Sequence, residues 1–207
     1  MKNELQNIIS GKSSVVYGAL IQTVARELER SCNASKLDKE NEHFKKQETE
    51  ILIELIDKEQ LWISDLNLDN YVSEGAEQRV YLKDGKTVQK LNDSIYYASW
   101  QDYFHNLLLN NFFFADTAYH LDGFYKDADV VFAVVSQSFI KATEPTKLEN
   151  VKDFLTANGF INNRNHDYYN PVLGIILEDL HDENVLTENG VLRFIDTVFY
   201  LDKTFWN

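Results

Sequence analysis

Three polar residues on one short stretch, Asp179, Asn184 and Asp196, have the types and spacing that phosphoryl transfer from a metal nucleotide requires. One carboxylate can orient a hydroxyl nucleophile, while an amide and a second carboxylate hold the magnesium that bridges the phosphates. Residues 177–199 read LEDLHDENVLTENGVLRFIDTVF. Just before them, residues 174–177 form an apolar run ending in charge, the pattern of a buried strand feeding a loop. Val185-Leu186 and Leu192-Arg193-Phe194-Ile195 then read as a hairpin across Thr187-Glu188-Asn189-Gly190, with Asn-Gly as its turn. Asp179 and Asn184 fall on the loop before the hairpin and Asp196 at its end, so the three side chains converge. An Asp-x-x-x-x-Asn pair alone is commonplace in an acidic chain. The apolar strand before it, the hairpin between, and an Asp directly after Phe194-Ile195 give it meaning. The plainer alternative is an acidic hairpin with solvated carboxylates.

This constellation resembles the catalytic and metal-binding loops of the protein-kinase-like superfamily, in which an Asp-Leu is followed by an Asn and then by an Asp-Phe-Gly turn. Asp179-Leu180 matches the first pair, Asn184 falls five residues after the Asp, and Asp196 stands at the second metal position. The run Asp179-Leu180-His181-Asp182-Glu183-Asn184-Val185-Leu186 is also similar to the loops of aminoglycoside-phosphotransferase-type kinases. It is closer still to the kinase-like domains of polyvalent proteins from phages and mobile elements. The resemblance covers residues 71–201. It implies ATP and Mg²⁺ as cofactors, with Asp179 catalytic and Asn184 and Asp196 on the metal. Departures accompany it. Leu177-Glu178 replaces the usual His-Arg, which removes the anchor for a phosphorylated activation loop. Thr197-Val198 replaces Phe-Gly, which argues against a flipping Phe switch. His181 stands where many kinases place a phosphate-touching Lys, and either a phosphate contact or a plain loop hydrogen bond suits it.

A kinase-like reading requires a phosphate-cradling loop and a lysine upstream. Residues 71–82 alternate as strand, turn and strand, and Asp84-Gly85 marks a hairpin before Thr87-Val88-Gln89-Lys90-Leu91. Lys90 then takes the place of the third-strand lysine that pairs with the α- and β-phosphates. Gly75 is the one glycine in a loop that can carry three; the amides of Ala76 and Glu77 can approach a phosphate, though Glu77 brings a like charge. The lysine's usual carboxylate partner lies on the next helix. Residues 94–115 show helical spacing with Ser94 as N-cap, and Asp102 is their only acid, as fit for a solvated role as for pairing with Lys90. Residues 117–124 and 129–137 bracket a turn at Lys126-Asp127 and complete a five-stranded antiparallel sheet. Residues 136–142 follow as an adenine-binding hinge, and residues 145–159 as a helix stopped by Asn158-Gly159.

The remaining chain sets bounds. Its 207 residues can bury one core or two small lobes. A net charge of −13 disfavours nucleic acid and anionic membranes as partners. The lone Cys32 fits a reducing compartment, and without an apolar run of ~18 residues or a signal-peptide pattern the expectation is cytoplasmic. Apolar stripes at Val16, Leu20, Val24 and Leu28, and at Phe44, Ile51, Leu52, Leu55 and Ile56, predict two N-terminal helices. Gly11-Lys12-Ser13-Ser14 imitates a phosphate loop without its first glycine or preceding strand. The chain ends eleven residues past Asp196, which leaves no room for an activation segment, and apolar strands left bare there would need cover.

The expected fold is therefore α+β and kinase-like, with two lobes. Residues 1–66 form helices packing on the catalytic lobe, residues 67–140 carry the sheet, and residues 141–207 make a minimal, truncated C-lobe. The expected function is an ATP·Mg phosphotransferase acting on an unidentified hydroxyl acceptor. The alternative is a nucleotide-binding pseudokinase or a structural interaction module.

Overall fold

The structure is a computed structural model that describes residues 1–39, 43–66, 68–75 and 78–207. It is α+β. The first three helices are α1 (Lys2–Ile9), α2 (Ala19–Ala34) and α3 (Phe44–Glu59). The strands β1 (Tyr71–Glu74), β2 (Gln78–Asp84), β3 (Thr87–Asn92), β4 (His120–Asp127) and β5 (Val130–Ser138) form one antiparallel sheet in the order β1-β2-β3-β5-β4. Helix α4 (Trp100–Phe113) lies between β3 and β4 in sequence. The last part holds α5 (Leu148–Ala157) and a four-stranded sheet of β6 (Ile161–Arg164), β7 (Asp167–Asn170), β8 (Ile175–Glu178) and β11 (Val198–Leu201). A separate hairpin is made by β9 (Val185–Glu188) and β10 (Val191–Phe194), and a 3-10 turn closes the chain at Lys203–Trp206. No helix among the described residues is long and apolar enough to cross a membrane.

The valine-rich β5 is buried on both faces, as a central strand must be. Val131, Ala133 and Val135 face the main core, while Phe132 and Val134 join Tyr81 and Leu91 in a smaller cluster on the other face. Partly buried Ile63 and Leu66 cover that second cluster. The edge strand β4 is sealed by the segment after α3: Ile63 N donates to Phe124 O at 2.8 Å, and Phe124 N donates to Leu61 O at 2.9 Å. Gly123 permits this approach, since a Cβ there would lie 2.6 Å from Leu61 O.

Helix α4 is buried nearly all round, with ten residues withdrawn from solvent, and a helix of that kind needs cover on every side. That need corrects the expectation for residues 1–66. They contribute three helices, and α2 and α3 use Ile21, Val24, Leu28, Leu52 and Ile56 to pack on α4 and each other, with α2 also against β4. Only α1 reaches the chain's end, where Lys2 Nζ donates to Thr204 O at 2.9 Å and to Asn207 O at 3.0 Å. The strand after Asp196, β11, is covered by α4 itself. One apolar cluster consequently runs from Leu5 through α4 to Phe205.

The start of α4 is a second correction. Ser94 is no cap; it has a left-handed φ of 57° within the loop before the helix. Ser99 caps instead, its Oγ accepting from Asp102 N at 3.0 Å. A buried carboxylate from α3 assists, since Glu48 accepts from Trp100 N at 2.7 Å and Gln101 N at 3.1 Å.

Candidate active site

The register of the last strands brings the three polar residues together. Val198 of β11 pairs with Glu178 of β8, which sets Asp196 beside the start of the Asp179 loop. Phe194 pairs with Val185, and Ile195 N donates to Asn184 O at 3.0 Å, so Asn184 and Asp196 flank the open end of the hairpin. Its turn is Asn189-Gly190, both at positive φ (52° and 77°), the geometry of a tight two-residue hairpin.

Asp179 has a left-handed φ of 66°. Such a conformation in a non-glycine residue costs on the order of 1 kcal/mol and persists only where neighbours fix it. Here Asp179 N donates to Asp167 Oδ1 at 3.2 Å, and Asn184 Nδ2 donates to Asp179 O at 2.9 Å and Oδ2 at 2.8 Å. His181 adds a contact from Nε2 to Asp179 Oδ1 at 3.2 Å. Its Nδ1 accepts from Glu183 N at 3.2 Å, which assigns the proton of the neutral ring to Nε2. The carboxylate of Asp179 is thus oriented by two donors while half its surface stays open (53 %). With Asn184 Nδ2 committed to Asp179, its Oδ1 is the atom left to accept.

Between the five-stranded sheet and the hairpin lies a cavity of about 370 Å³. Gly75, Gln78, Val80, Val88 and Lys90 line it from the sheet, Gln137 to Ile140 from the end of β5, and Asn184, Leu186 and Asp196 from below. A Cβ at Gly75 would meet nothing within 4 Å. Ala76 and Glu77 lie outside the described residues. Lys90 is buried; its Nζ donates to Ile195 O at 2.8 Å, stands 3.8 Å from Asp196 Oδ2 and sits 5.3 Å from the centre of the Tyr119 ring. Burial lowers the pKa of this ammonium, and Asp196 partly restores it.

Asp102 does not join this group. It lies in the first turn of α4 bonded to Ser99 Oγ (2.8 Å), and its charge is felt by Lys45, Glu48 and His105 rather than at Lys90. The helix contributes amides instead. Asn110 Oδ1 accepts from Thr197 Oγ1 at 3.1 Å, and Asn106 Oδ1 accepts from Phe199 N at 2.8 Å, fixing the chain on both sides of Val198. Nor does His181 line the cavity; its contacts are those of a loop hydrogen bond.

Several contributors carry no sequence signal. Gln78 donates from Nε2 to Asp196 Oδ2 across the mouth of the cavity. Tyr119 donates its hydroxyl to Ile195 O at 2.8 Å, sharing that acceptor with Lys90. Asp167 fixes Asp179 from β7, a four-residue strand whose Asp-Tyr-Tyr-Asn shows no alternation.

Among the described residues no group of three or more His, Cys, Asp and Glu is gathered as a metal cage. Asp196 with the amide oxygen of Asn184 fits a different mode, in which a hard cation takes one or two protein oxygens and completes its shell with phosphate and water. No curated protein and no solved structure matches the chain. A family model described as Serine/Threonine/Tyrosine Kinase found in polyvalent proteins matches residues 45–203, well over half of the chain and beginning within α3. The family match agrees with the Asp179–Asp196 sequence pattern and the sheet order, and the chain belongs to the family of kinases found in polyvalent proteins.

Proposed function

We propose that the protein is an ATP- and Mg²⁺-dependent phosphotransferase of atypical kinase type, acting on a hydroxyl acceptor between two lobes. The observation that carries this reading is one cavity shared by Gly75, Lys90, Asn184 and Asp196. Lys90 supplies a buried cation that an incoming phosphate keeps protonated by offsetting its desolvation. Asp196 and Asn184 offer oxygen donors to Mg²⁺, which when bound neutralises charge on the phosphates. Asp179, held by Asn184 and His181, accepts a hydrogen bond from the acceptor hydroxyl and takes its proton as the phosphoryl group transfers.

A second reading, a nucleotide-binding pseudokinase, draws support from two features. Gln78 already occupies Asp196, and Asp102 does not support Lys90. Calorimetric titration of ATP with and without Mg²⁺, on wild type and Asp196→Asn, separates the two. Magnesium-dependent binding lost in the variant is expected. Binding indifferent to magnesium would favour the pseudokinase, and no binding would overturn both.

A further inference from the structure

Gln137, which lines the cavity, is 3 % exposed, and its Oε1 is buried with no hydrogen-bond partner among the described residues. The amide orientation is not arbitrary. Its Nε2 donates to Thr117 O at 2.7 Å, a carbonyl that can only accept, so Oε1 must be the free atom. Gln137 pairs with Val88 and Val135 with Lys90 across β3 and β5, which places Gln137 on the cavity side of the sheet, two residues along from the lysine's partner. Val80, Val88 and Leu186 offer apolar surface to a flat ring in the same cavity. The backbone donor at Phe139 is already used, since Phe139 N bonds to Lys86 O at 2.8 Å. A buried acceptor without a donor is costly, and in a native fold it calls for a ligand or water to satisfy it.

We propose that Gln137 is the base-specificity residue of this site, its Oε1 accepting a hydrogen bond from the exocyclic 6-amino group of a purine nucleotide. The inference rests on the nucleotide-binding reading and deepens it. A 6-oxo purine would set oxygen against oxygen, and a purine without a 6-substituent would leave Oε1 unpaired. A site built to pair with a donor discriminates against ligands that lack it, here by about tenfold or more. Thr117 holds the amide in place: its Oγ1 donates to Phe194 O at 2.5 Å, tying the reader to the end of β10, two residues before Asp196.

The test compares ATP, inosine triphosphate and purine riboside triphosphate by calorimetry in excess Mg²⁺ on the wild-type chain, then on Gln137→Leu. ATP should bind at least about tenfold tighter than either analogue, and Gln137→Leu should bring the three within about threefold. If ATP and purine riboside triphosphate bind wild type equally, Gln137 reads nothing and the inference falls while nucleotide binding stands. If none of the three binds, the nucleotide reading itself fails and takes this inference with it. The wild-type series decides the matter even if the variant does not fold.

Discussion

At the residue scale, the carboxylate of Asp196 has two competing uses. In the structure it accepts from Gln78 and lies near Lys90, whereas the proposed chemistry needs it on a cation. Releasing a hydrogen bond to a charged group costs about 1 kcal/mol or somewhat more. Gln78→Ala is therefore expected to tighten magnesium-nucleotide binding by roughly fivefold, read by calorimetry. An unchanged affinity would show that Gln78 moves aside freely. The polar triad itself was legible because its spacing is local: one loop and one hairpin bring Asp179, Asn184 and Asp196 together. Gln78 and Tyr119 were not legible, since their contacts span 118 and 76 residues. Asp102 misled for the same reason: helical spacing supplies an acid but not the direction in which it points.

At the scale of elements, α3 and α4 act as a unit that the sequence hid. The family match begins at residue 45, inside α3, although the kinase-like pattern reads only from residue 71. Two residues of α3 hold the chain leading into α4: Lys45 Nζ donates to Tyr97 O at 2.7 Å and to Ser94 O, and Glu48 takes the first amides of the helix. Burial pushes the Glu48 carboxyl up to about 7 from 4.5, opposed by those two amides and by Lys39 and reinforced by Asp102. The folded state therefore holds this proton more tightly than the unfolded one. Its contribution to stability is fully present below pH 4.5 and is lost as pH rises through 7. Glu48→Gln cannot titrate, so wild type should lose about 3 kcal/mol relative to it between pH 4.5 and 8, measurable by urea unfolding at each pH. A constant difference would place the titration elsewhere. The five strands of the first sheet and the hairpins were readable from alternation and Asn-Gly or Asp-Gly turns. Helix α1, β6, β7 and β11 were not, being short elements whose pattern is set by what they pack on.

At the scale of the whole molecule, the apolar cluster from Leu5 to Phe205 joins the N-terminal helices, α4, β8 and β11 in one continuous core. Leu5 is fully buried, and Leu5→Ala is expected to cost about 2–4 kcal/mol. The loss should appear as a lower midpoint of a single transition in calorimetry, not as a separate early phase. The prediction of an α+β chain with a five-stranded sheet matched the structure because composition and alternation carry that information. Where residues 1–66 pack was unreadable, because an amphipathic stripe states that a face will be buried and not against what. The grip of Lys2 on Thr204 and Asn207, across 202 and 205 residues, bears on the order of assembly. α1 also packs on α4, but its hold on the final turn forms only once a closure spanning 202 residues is made. A circular permutant joining Asn207 to Met1 by a short Gly-Ser linker, and opened between Ala128 and Asp129, converts that closure into a neighbourly one. By stopped-flow tryptophan fluorescence it should refold faster than wild type, and equal rates would show that this docking follows the slow step.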